Sequence, residues 1–452
     1  MTSGATIALR STFSPDPLPD NGKRFFIWTI GCQMNEADSS RVAAMLMEAG
    51  YRAASREEDA DIVVLNSCVV RQAAEDKVAG RLNALMREKR QRPEMSLVLT
   101  GCMVTNQHES LQARFPHVDL FFDPSDFDAL KAFVPELSDL EDDLKTLPHY
   151  YVDEATDARV SAFVPIIYGC NFLCSYCIVP YRRGRERSRP MDEVVGEVQH
   201  LVDRGVRDVT LLGQTVNAYG HDLEEDVGLA GLLRAVDQVE GLDRLRFLTS
   251  HPKYMSDEIL ETMASLRTVC EHLNLPVQAG NDEVLRRMRR TYAVEHWQNR
   301  IAKARELMPG LTVATDIIVG FPGESDEQFA GTLSVLREAE LDKVHVAMYS
   351  PRPGTLSARW EDDVPRDVKH ERHQAVERLQ EDVCERLNKR RLGTQQEVLF
   401  DSFKKGRWGG RTRGNTLVHV ANTAHLLGRI ADVRITETSP WFVIGELVGD
   451  PR

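Results

Sequence analysis

Phe163-Val164-Pro165-Ile166-Ile167-Tyr168-Gly169-Cys170-Asn171-Phe172-Leu173-Cys174-Ser175-Tyr176-Cys177 is the stretch on which the reading of this chain turns. An apolar run, Phe163–Ile167, has the length and composition of a buried strand. It feeds a loop that carries three thiols at the spacing Cys170-x3-Cys174-x2-Cys177. Three thiolates are one short of closing a [4Fe–4S] cube, whose irons usually take one cysteine each. The fourth iron is then open to a substrate or cofactor. Zinc is the alternative, but it needs four ligands or an obvious histidine. No histidine lies within the twenty residues after Cys177.

Outward from this loop, apolar runs alternate with helical periodicity. The candidate strands after Phe163–Ile167 are Asp208–Leu212, Leu245–Thr249, Leu273–Val277, Thr312–Val319 and Val344–Met348. Helical patterns at Met191–Arg204, Asp257–Leu266 and Glu327–Ala339 separate them, and a long charged helix, Pro365–Arg391, closes the block. Six β-α units in series over residues 160–391 predict a partial (β/α)6 barrel, with its chemistry at the C-terminal ends of the strands. Residues 22–140 show the same alternation: runs Phe25–Ile30, Asp61–Leu65 and Ser96–Thr100, with helices at Ser39–Glu48 and Ala73–Lys89. This predicts an N-terminal α/β domain with a parallel sheet. Residues 392–452 change to short strand-like runs with glycines between them, which predicts a small all-β barrel of the OB type. The polar, proline-rich residues 1–21 read as a disordered extension. Residues 141–159 read as an acidic linker; the overlapping stretch Pro135–Ala158 holds eight carboxylates and one lysine. The fold class is therefore α/β multidomain.

Composition sets the outer limits. The chain has 452 residues, a formal net charge of −13 and eight cysteines. It is too acidic for a uniformly basic nucleic-acid coat and too poor in cysteine for a disulfide scaffold. Residues 391–452 nonetheless carry nine Lys/Arg against six Asp/Glu, a net +3 inside an acidic chain. No secretory signal is visible, and the most apolar stretch, Ala162–Tyr181, is broken by Pro165, Gly169, Asn171, Ser175 and Pro180. The expectation is a cytoplasmic enzyme in a reducing compartment, with no membrane association.

Cys32, Cys68 and Cys102 each follow a predicted strand, 36 and then 34 residues apart. Strands of a parallel sheet end at one edge, so these thiols converge there as candidate metal ligands. The alternative is three small buried packing residues. Cys270 and Cys384 have no such context and read as packing residues. Gln214, Asn217 and Gln278 follow barrel strands, and Asp316 and Glu324 flank the Gly320-Phe321-Pro322-Gly323 turn. Strand-end positions favour ligand contact; the alternative is ordinary turn and cap duty. Arg183 is a candidate partner for a carboxylate or a phosphate; the alternative is that Arg182, Arg183, Arg185, Arg187 and Arg189 form a solvated charge run, here beside an expected RNA path. Phe403–Arg413 combines Lys404, Lys405, Arg407, Arg411 and Arg413 with Phe403 and Trp408. Cations neutralise phosphate and aromatics stack on unpaired bases, which suits RNA; a plain basic turn is the alternative.

Cys170–Tyr181 with Arg183-Gly184 and Ser188-Arg189-Pro190 resembles the radical S-adenosylmethionine (SAM) methylthiotransferases. So do Leu212–Tyr219, Ser250-His251-Pro252, Leu275–Gly280 and Asp316–Glu324. The resemblance runs from about Lys23 to the C-terminus, and Gly31-Cys32-Gln33-Met34-Asn35 resembles the branch that acts on isopentenylated adenosine in tRNA. Thr215 departs from the asparagine more usual there. The last domain is similar to the RNA-binding TRAM domain.

The resemblance implies two [4Fe–4S] clusters, one on Cys170, Cys174 and Cys177 and one on Cys32, Cys68 and Cys102. It implies SAM as cofactor, with Gln214, Asn217, Gln278, Asp316 and Glu324 as candidate contacts. It implies a tRNA anticodon loop as substrate, with Lys404, Lys405, Arg407, Trp408, Arg411 and Arg413 as RNA contacts. A reducing electron-donor protein and a monomeric enzyme are also expected. The runners-up are a sibling methylthiotransferase acting on threonylcarbamoyl-adenosine or on a ribosomal-protein aspartate, and an iron–sulfur RNA-binding regulator without turnover.

Overall fold

The computed structural model describes residues 20–68, 72–104, 108–124, 127–137, 160–224, 227–421 and 424–452. The expected extension 1–21, save its last two residues, and the whole expected acidic linker 141–159 lie outside the described residues.

The N-terminal domain has strands β1 (Arg24–Thr29), β2 (Arg52–Ala53), β3 (Ile62–Ser67), β4 (Ser96–Gly101) and β5 (Leu120–Phe121). Its helices are α1 (Gln33–Glu48), α2 (Gln72–Gln91), α3 (Glu109–Arg114) and α4 (Asp128–Phe133). The sheet order is β2-β1-β3-β4-β5, with every pairing parallel. Two apolar layers cover the sheet: Val42, Leu46, Ile62, Val64 and Val98 on one face, Val63, Leu65, Leu82, Leu85 and Leu97 on the other. Burial on both faces is why β3 reads as a continuous apolar run rather than an alternating one.

The central domain carries β6 (Ser161–Pro165), β7 (Ile167–Tyr168), α5 (Val179–Arg183), β8 (Arg187–Ser188), α6 (Met191–Asp203), β9 (Asp208–Leu212), α7 (Leu229–Asp237) and β10 (Arg244–Phe247). It continues with α8 (Asp257–Ser265), β11 (His272–Asn274), α9 (Asp282–Arg287), α10 (Val294–Leu307), β12 (Thr312–Val319), α11 (Asp326–Ala339), β13 (Lys343–Met348) and α12 (Arg366–Lys389). Two three-stranded parallel sheets, β6-β9-β10 and β11-β12-β13, meet through a parallel bridge from Leu245 to Val269. Together they make the expected six-stranded partial barrel. Its core runs from Val164 and Val209 to Leu273, Val313 and the fully buried Trp297. Ser325 and Gln328 cap α11 reciprocally, the box expected from Ser325-x-x-Gln328.

The last domain is a closed five-stranded barrel, β14 (Gln395–Lys404), β15 (Arg407–Thr412), β16 (Leu417–Val420), β17 (Ile430–Thr438) and β18 (Val443–Val448), in the order β14-β15-β16-β18-β17. In the sequence, Gly406, Gly409, Gly410 and Gly414 read as lying between the strand-like runs Glu397–Phe400 and Leu417–Val420. The structure corrects this: β14 and β15 form a hairpin whose two-residue turn is Lys405-Gly406, with φ of 52° and 77°. Two positive φ values match the twist of the flanking strands.

This barrel sits under the central one, at the N-terminal ends of its strands. Arg246 of β10 pairs with Asp208 at the start of β9 and donates to the carbonyl of Thr412 at 3.0 Å. Arg413 grips Glu271 at 2.8 Å and the Val269 carbonyl at 2.6 Å, and Thr312 donates to the Gly414 carbonyl at 2.7 Å. The C-terminal ends of the barrel strands are thereby left to the N-terminal domain. There, Met34 and Ala37 of α1 pack on Leu212, Phe163, Tyr168 and Leu248.

Candidate functional site

Gly169 (φ 77°) turns the chain from β7 into the cysteine loop. A Cβ at this position would stand 2.1 Å from the Arg185 carbonyl oxygen, so only glycine fits. The loop is tied down on both flanks. Asn171 donates its backbone N–H (3.0 Å) and its side-chain amide (2.8 Å) to the Glu186 carboxylate. Ser175 donates to the carbonyls of Met288 and Arg287 (3.0 and 2.8 Å). The Cys177 N–H donates to the Cys174 carbonyl at 3.1 Å, after which α5 begins. The Thr215 hydroxyl lies 3.3 Å from the Cys170 sulfur, and Arg290 Nη1 donates to the Cys174 sulfur at 3.4 Å.

Burial pushes the Cys170 thiol up, and pushes Cys177 up to about 12 with the Cys174 sulfur adding to the effect. Burial disfavours the thiolate, and a bound metal reverses that preference by replacing the proton. Among the described residues, no three His, Cys, Asp or Glu side chains gather as a single ion requires.

Cys32, Cys68 and Cys102 do share one sheet edge. Ser67 pairs with Gly101 in register, which sets the next residues, Cys68 and Cys102, side by side; the Cys102 N–H donates to the Ser67 carbonyl at 2.8 Å. Cys32 caps α1. Under the three thiols lies an amide network that the sequence reading missed. Asn35 Oδ1 accepts from the Cys32 N–H (3.2 Å) and thiol (3.4 Å), and its Nδ2 donates to Asn66 Oδ1 (2.9 Å) and the Ser67 carbonyl (3.1 Å). Asn66 returns a bond to the Asn35 carbonyl at 2.8 Å. This explains Gly31-Cys32-Gln33-Met34-Asn35 in residue terms: Gly31 leaves room for Asn35, Asn35 holds Cys32, and Met34 packs on the barrel.

The two cysteine sets meet across α5. Ile178, next to Cys177, packs against Cys102. Arg183, at the end of α5, donates Nε to the Cys102 sulfur (3.4 Å) and Nη2 to Asp38 Oδ2 (2.7 Å). The arginine run is therefore not a uniform solvated face. Arg183 is buried in this contact, and Arg189 is buried against Glu197 at 2.6 Å. Asp38 carries no sequence signal beyond being one of three carboxylates in α1.

The strand-end residues divide. Gln214 is half-buried, and its Oε1 has no hydrogen-bond partner among the described residues; Ser250 Oγ and His251 Nε2 share that condition. His251 stacks on Phe172 of the cysteine loop (3.8 Å between centroids, 7° between planes). Its Nδ1 accepts from the Lys253 N–H at 3.2 Å, so the ring proton resides on Nε2. Burial holds this imidazole neutral, pushed down to about 2. Unpaired buried polar atoms cost about 1–3 kcal/mol each; three of them beside the cysteine loop mark space for a polar ligand. Thr249 (φ 66°) and Gln278 (φ 75°) hold left-handed backbone beyond the ends of β10 and β11, and such strain gathers at ligand sites. Asp316 lies half-buried on β12, its carbonyl accepting from the Gln278 N–H at 2.9 Å.

Two expected cofactor contacts are committed elsewhere. Asn217 is buried and clamps the His251 backbone with both ends of its amide (2.9 and 2.8 Å). Glu324 is buried, accepting from the Gly320 N–H (2.6 Å) and Arg372 (2.9 Å).

Of the expected RNA contacts, Lys404, Lys405 and Arg407 are exposed at the hairpin tip, and Arg411 is exposed on β15. Trp408 is buried in the barrel core with Phe403 against its ring, and Arg413 is spent on Glu271.

The chain matches the radical SAM superfamily over residues 164–336, the family described as uncharacterized protein family UPF0004 over 24–123, and the TRAM domain over 389–448. It is 46% identical over 450 residues to a tRNA-2-methylthio-N(6)-dimethylallyladenosine synthase of Chloroflexus aurantiacus, covering 96% of this chain and 94% of that protein. It is likewise 46% identical to one of a Roseiflexus species, with 97% and 92% covered. A solved radical S-adenosylmethionine methyltransferase, TsrM from Kitasatospora setae, shares the fold at 14% identity and a TM-score of 0.57, over 85% of this chain and 79% of that one. Identity of this extent over nearly the whole length makes the chain a member of the tRNA-2-methylthio-N(6)-dimethylallyladenosine synthase family.

Proposed function

We propose that this chain is a tRNA methylthiotransferase: it places a methylthio group on C2 of the N6-isopentenylated (dimethylallyl) adenosine at position 37, next to the anticodon. The observation that carries the reading is the meeting of the two cysteine sets across Ile178 and Arg183. A C2–H bond of adenine yields to no acid, base or nucleophile, and a reduced iron–sulfur cluster with SAM supplies the radical that can take its hydrogen.

The protein's part is placement. Cys170, Cys174 and Cys177 hold one [4Fe–4S] cluster on a loop fixed by Asn171 and Ser175. Gln214, Ser250 and His251 Nε2–H offer the polar end of SAM the hydrogen bonds that they lack, with Gln278 and Asp316 at neighbouring strand ends. Cys32, Cys68 and Cys102 hold a second cluster on the far side of α5, where the sulfur is delivered; a second SAM brings the methyl group. Leu173 and Tyr181 are both 56% exposed beside the cysteine loop and give an unstacked base an apolar face. Lys404, Lys405, Arg407 and Arg411 meet tRNA phosphates. All six ligands come from one chain, which suits a monomer working in the cytoplasm with a reducing partner protein.

The test is mass spectrometry of tRNA nucleosides from cells with and without the gene. Loss of the 2-methylthio nucleoside with accumulation of its N6-isopentenyl precursor is expected. An unchanged nucleoside profile would overturn the reading.

A further inference from the structure

Arg183 reaches out of the central domain and ends on a candidate ligand of the N-terminal one. Its side chain is 3% exposed and that of its partner Asp38 is 4% exposed. Nε donates to the Cys102 sulfur, Nη2 to Asp38, and Nη1 is buried with no acceptor among the described residues. A guanidinium so held has one nitrogen on the thiol, one on the carboxylate and one with no acceptor among the described residues. A carboxylate 2.7 Å from the same cation opposes its charge at the sulfur.

We propose that Arg183 and Asp38 are positioning residues that set the electron density at the Cys102 sulfur, and with it the reduction potential of the N-terminal cluster. The inference rests on the two-cluster reading above. Reduction adds negative charge to a cluster. A cationic donor on a ligand sulfur stabilises that charge and raises the potential, and an anion behind the donor lowers it. The two residues therefore act with opposite sign. A pair that only braced the domain interface would have no such signature, because breaking it from either end would loosen Cys102 in the same way.

The experiment is a redox titration, followed by electron paramagnetic resonance, of the reconstituted full-length protein without SAM. The signal of the loop cluster serves as internal reference. Arg183→Gln should lower the reduced-to-oxidised ratio of the N-terminal cluster about tenfold at a fixed applied potential, a shift of about 59 mV for one electron. Asp38→Asn should shift it the other way. Arg183→Lys keeps the charge but loses the planar fork, so it should fall between wild type and Arg183→Gln while preserving the domain contact. Shifts of the same sign, no shift, or loss of the N-terminal iron in both charge variants would overturn the proposal. A wild-type protein that binds only one cluster would overturn the two-cluster reading itself, and this inference with it.

Discussion

Asp38 and Arg183 stand 145 positions apart in the chain and 2.7 Å apart in the fold, with both side chains almost wholly shielded from water. Burial pushes the Asp38 carboxyl up, and the guanidinium beside it pulls it back toward the ionised form. Removing one member strands the other's charge, which costs about 3–5 kcal/mol. Arg183→Ala should therefore lower the urea midpoint of the metal-free protein, and Arg183→Ala with Asp38→Ala should recover part of the loss. Equal midpoints for wild type and the single variant would mean that water reaches the pair.

Iron content separates the two cysteine sets. Cys170, Cys174 and Cys177 changed together to Ala should leave about four irons of about eight and abolish SAM cleavage. The Cys32/Cys68/Cys102 variant should still cleave SAM to 5′-deoxyadenosine but form no methylthio product. Iron unchanged in the first variant, or catalytic thiolation by the second, would refute the respective assignment.

Gly31→Ala probes the amide network under the N-terminal thiols. The new methyl carbon would stand 2.1 Å from Asn35 Oδ1, so the amide must leave Cys32. Iron should fall toward half while SAM cleavage by the loop site persists. Full iron in this variant would show that Asn35 does not position Cys32.

The β14–β15 hairpin is the test of RNA binding. Lys404, Lys405 and Arg407 changed to Gln should raise KM for tRNA with little change in kcat, because phosphate contacts are common to ground and transition states. Every phosphate interaction removed should flatten the log–log salt dependence of tRNA binding by about one unit. An unchanged slope would leave the tip a solvated turn.

His272, buried where the last barrel docks, is pushed down to about 3 by burial, with Arg246 and Arg411 adding to the effect. Unfolded, it binds a proton near pH 6.5; folded, it does not until far lower. Stability is therefore complete above about pH 6.5 and is lost as pH falls toward 3, by about 2 kcal/mol between pH 7 and pH 5. His272→Asn should flatten that stretch of the unfolding-midpoint profile. A profile identical to wild type would mean that the imidazole takes up its proton as readily in the folded protein as in the unfolded one.

Periodicity makes the layout legible in one dimension. Asp208–Leu212 and Thr312–Val319 are strands over those same residues, because a buried parallel strand needs an uninterrupted apolar run. Helices α6, α8, α11 and α12 fall within a residue or two of their periodic patterns. The six cysteines stand out because parallel strands end at one edge, so a thiol after each strand marks a place in space as well as in sequence. Phe403–Arg413 misleads because its glycines look like loop. In the barrel, a Cβ at Gly410 would stand 2.5 Å from the Leu399 carbonyl oxygen, so glycine there lets two strands close.

The three-part architecture, the six candidate ligands and the family follow from local pattern and from motifs of fixed spacing. Which charges work is settled in three dimensions. Arg182, Arg183, Arg185, Arg187 and Arg189 look alike in one dimension; folding buries Arg183 on Cys102 and Arg189 on Glu197. It also turns Asn217 and Glu324 inward and moves Arg413 from an RNA grip to a domain staple. A charged or amide side chain has no period to betray its partner. Its role is fixed by whichever group the fold brings within hydrogen-bonding distance, and for Arg183 that group lies in another domain, at Asp38.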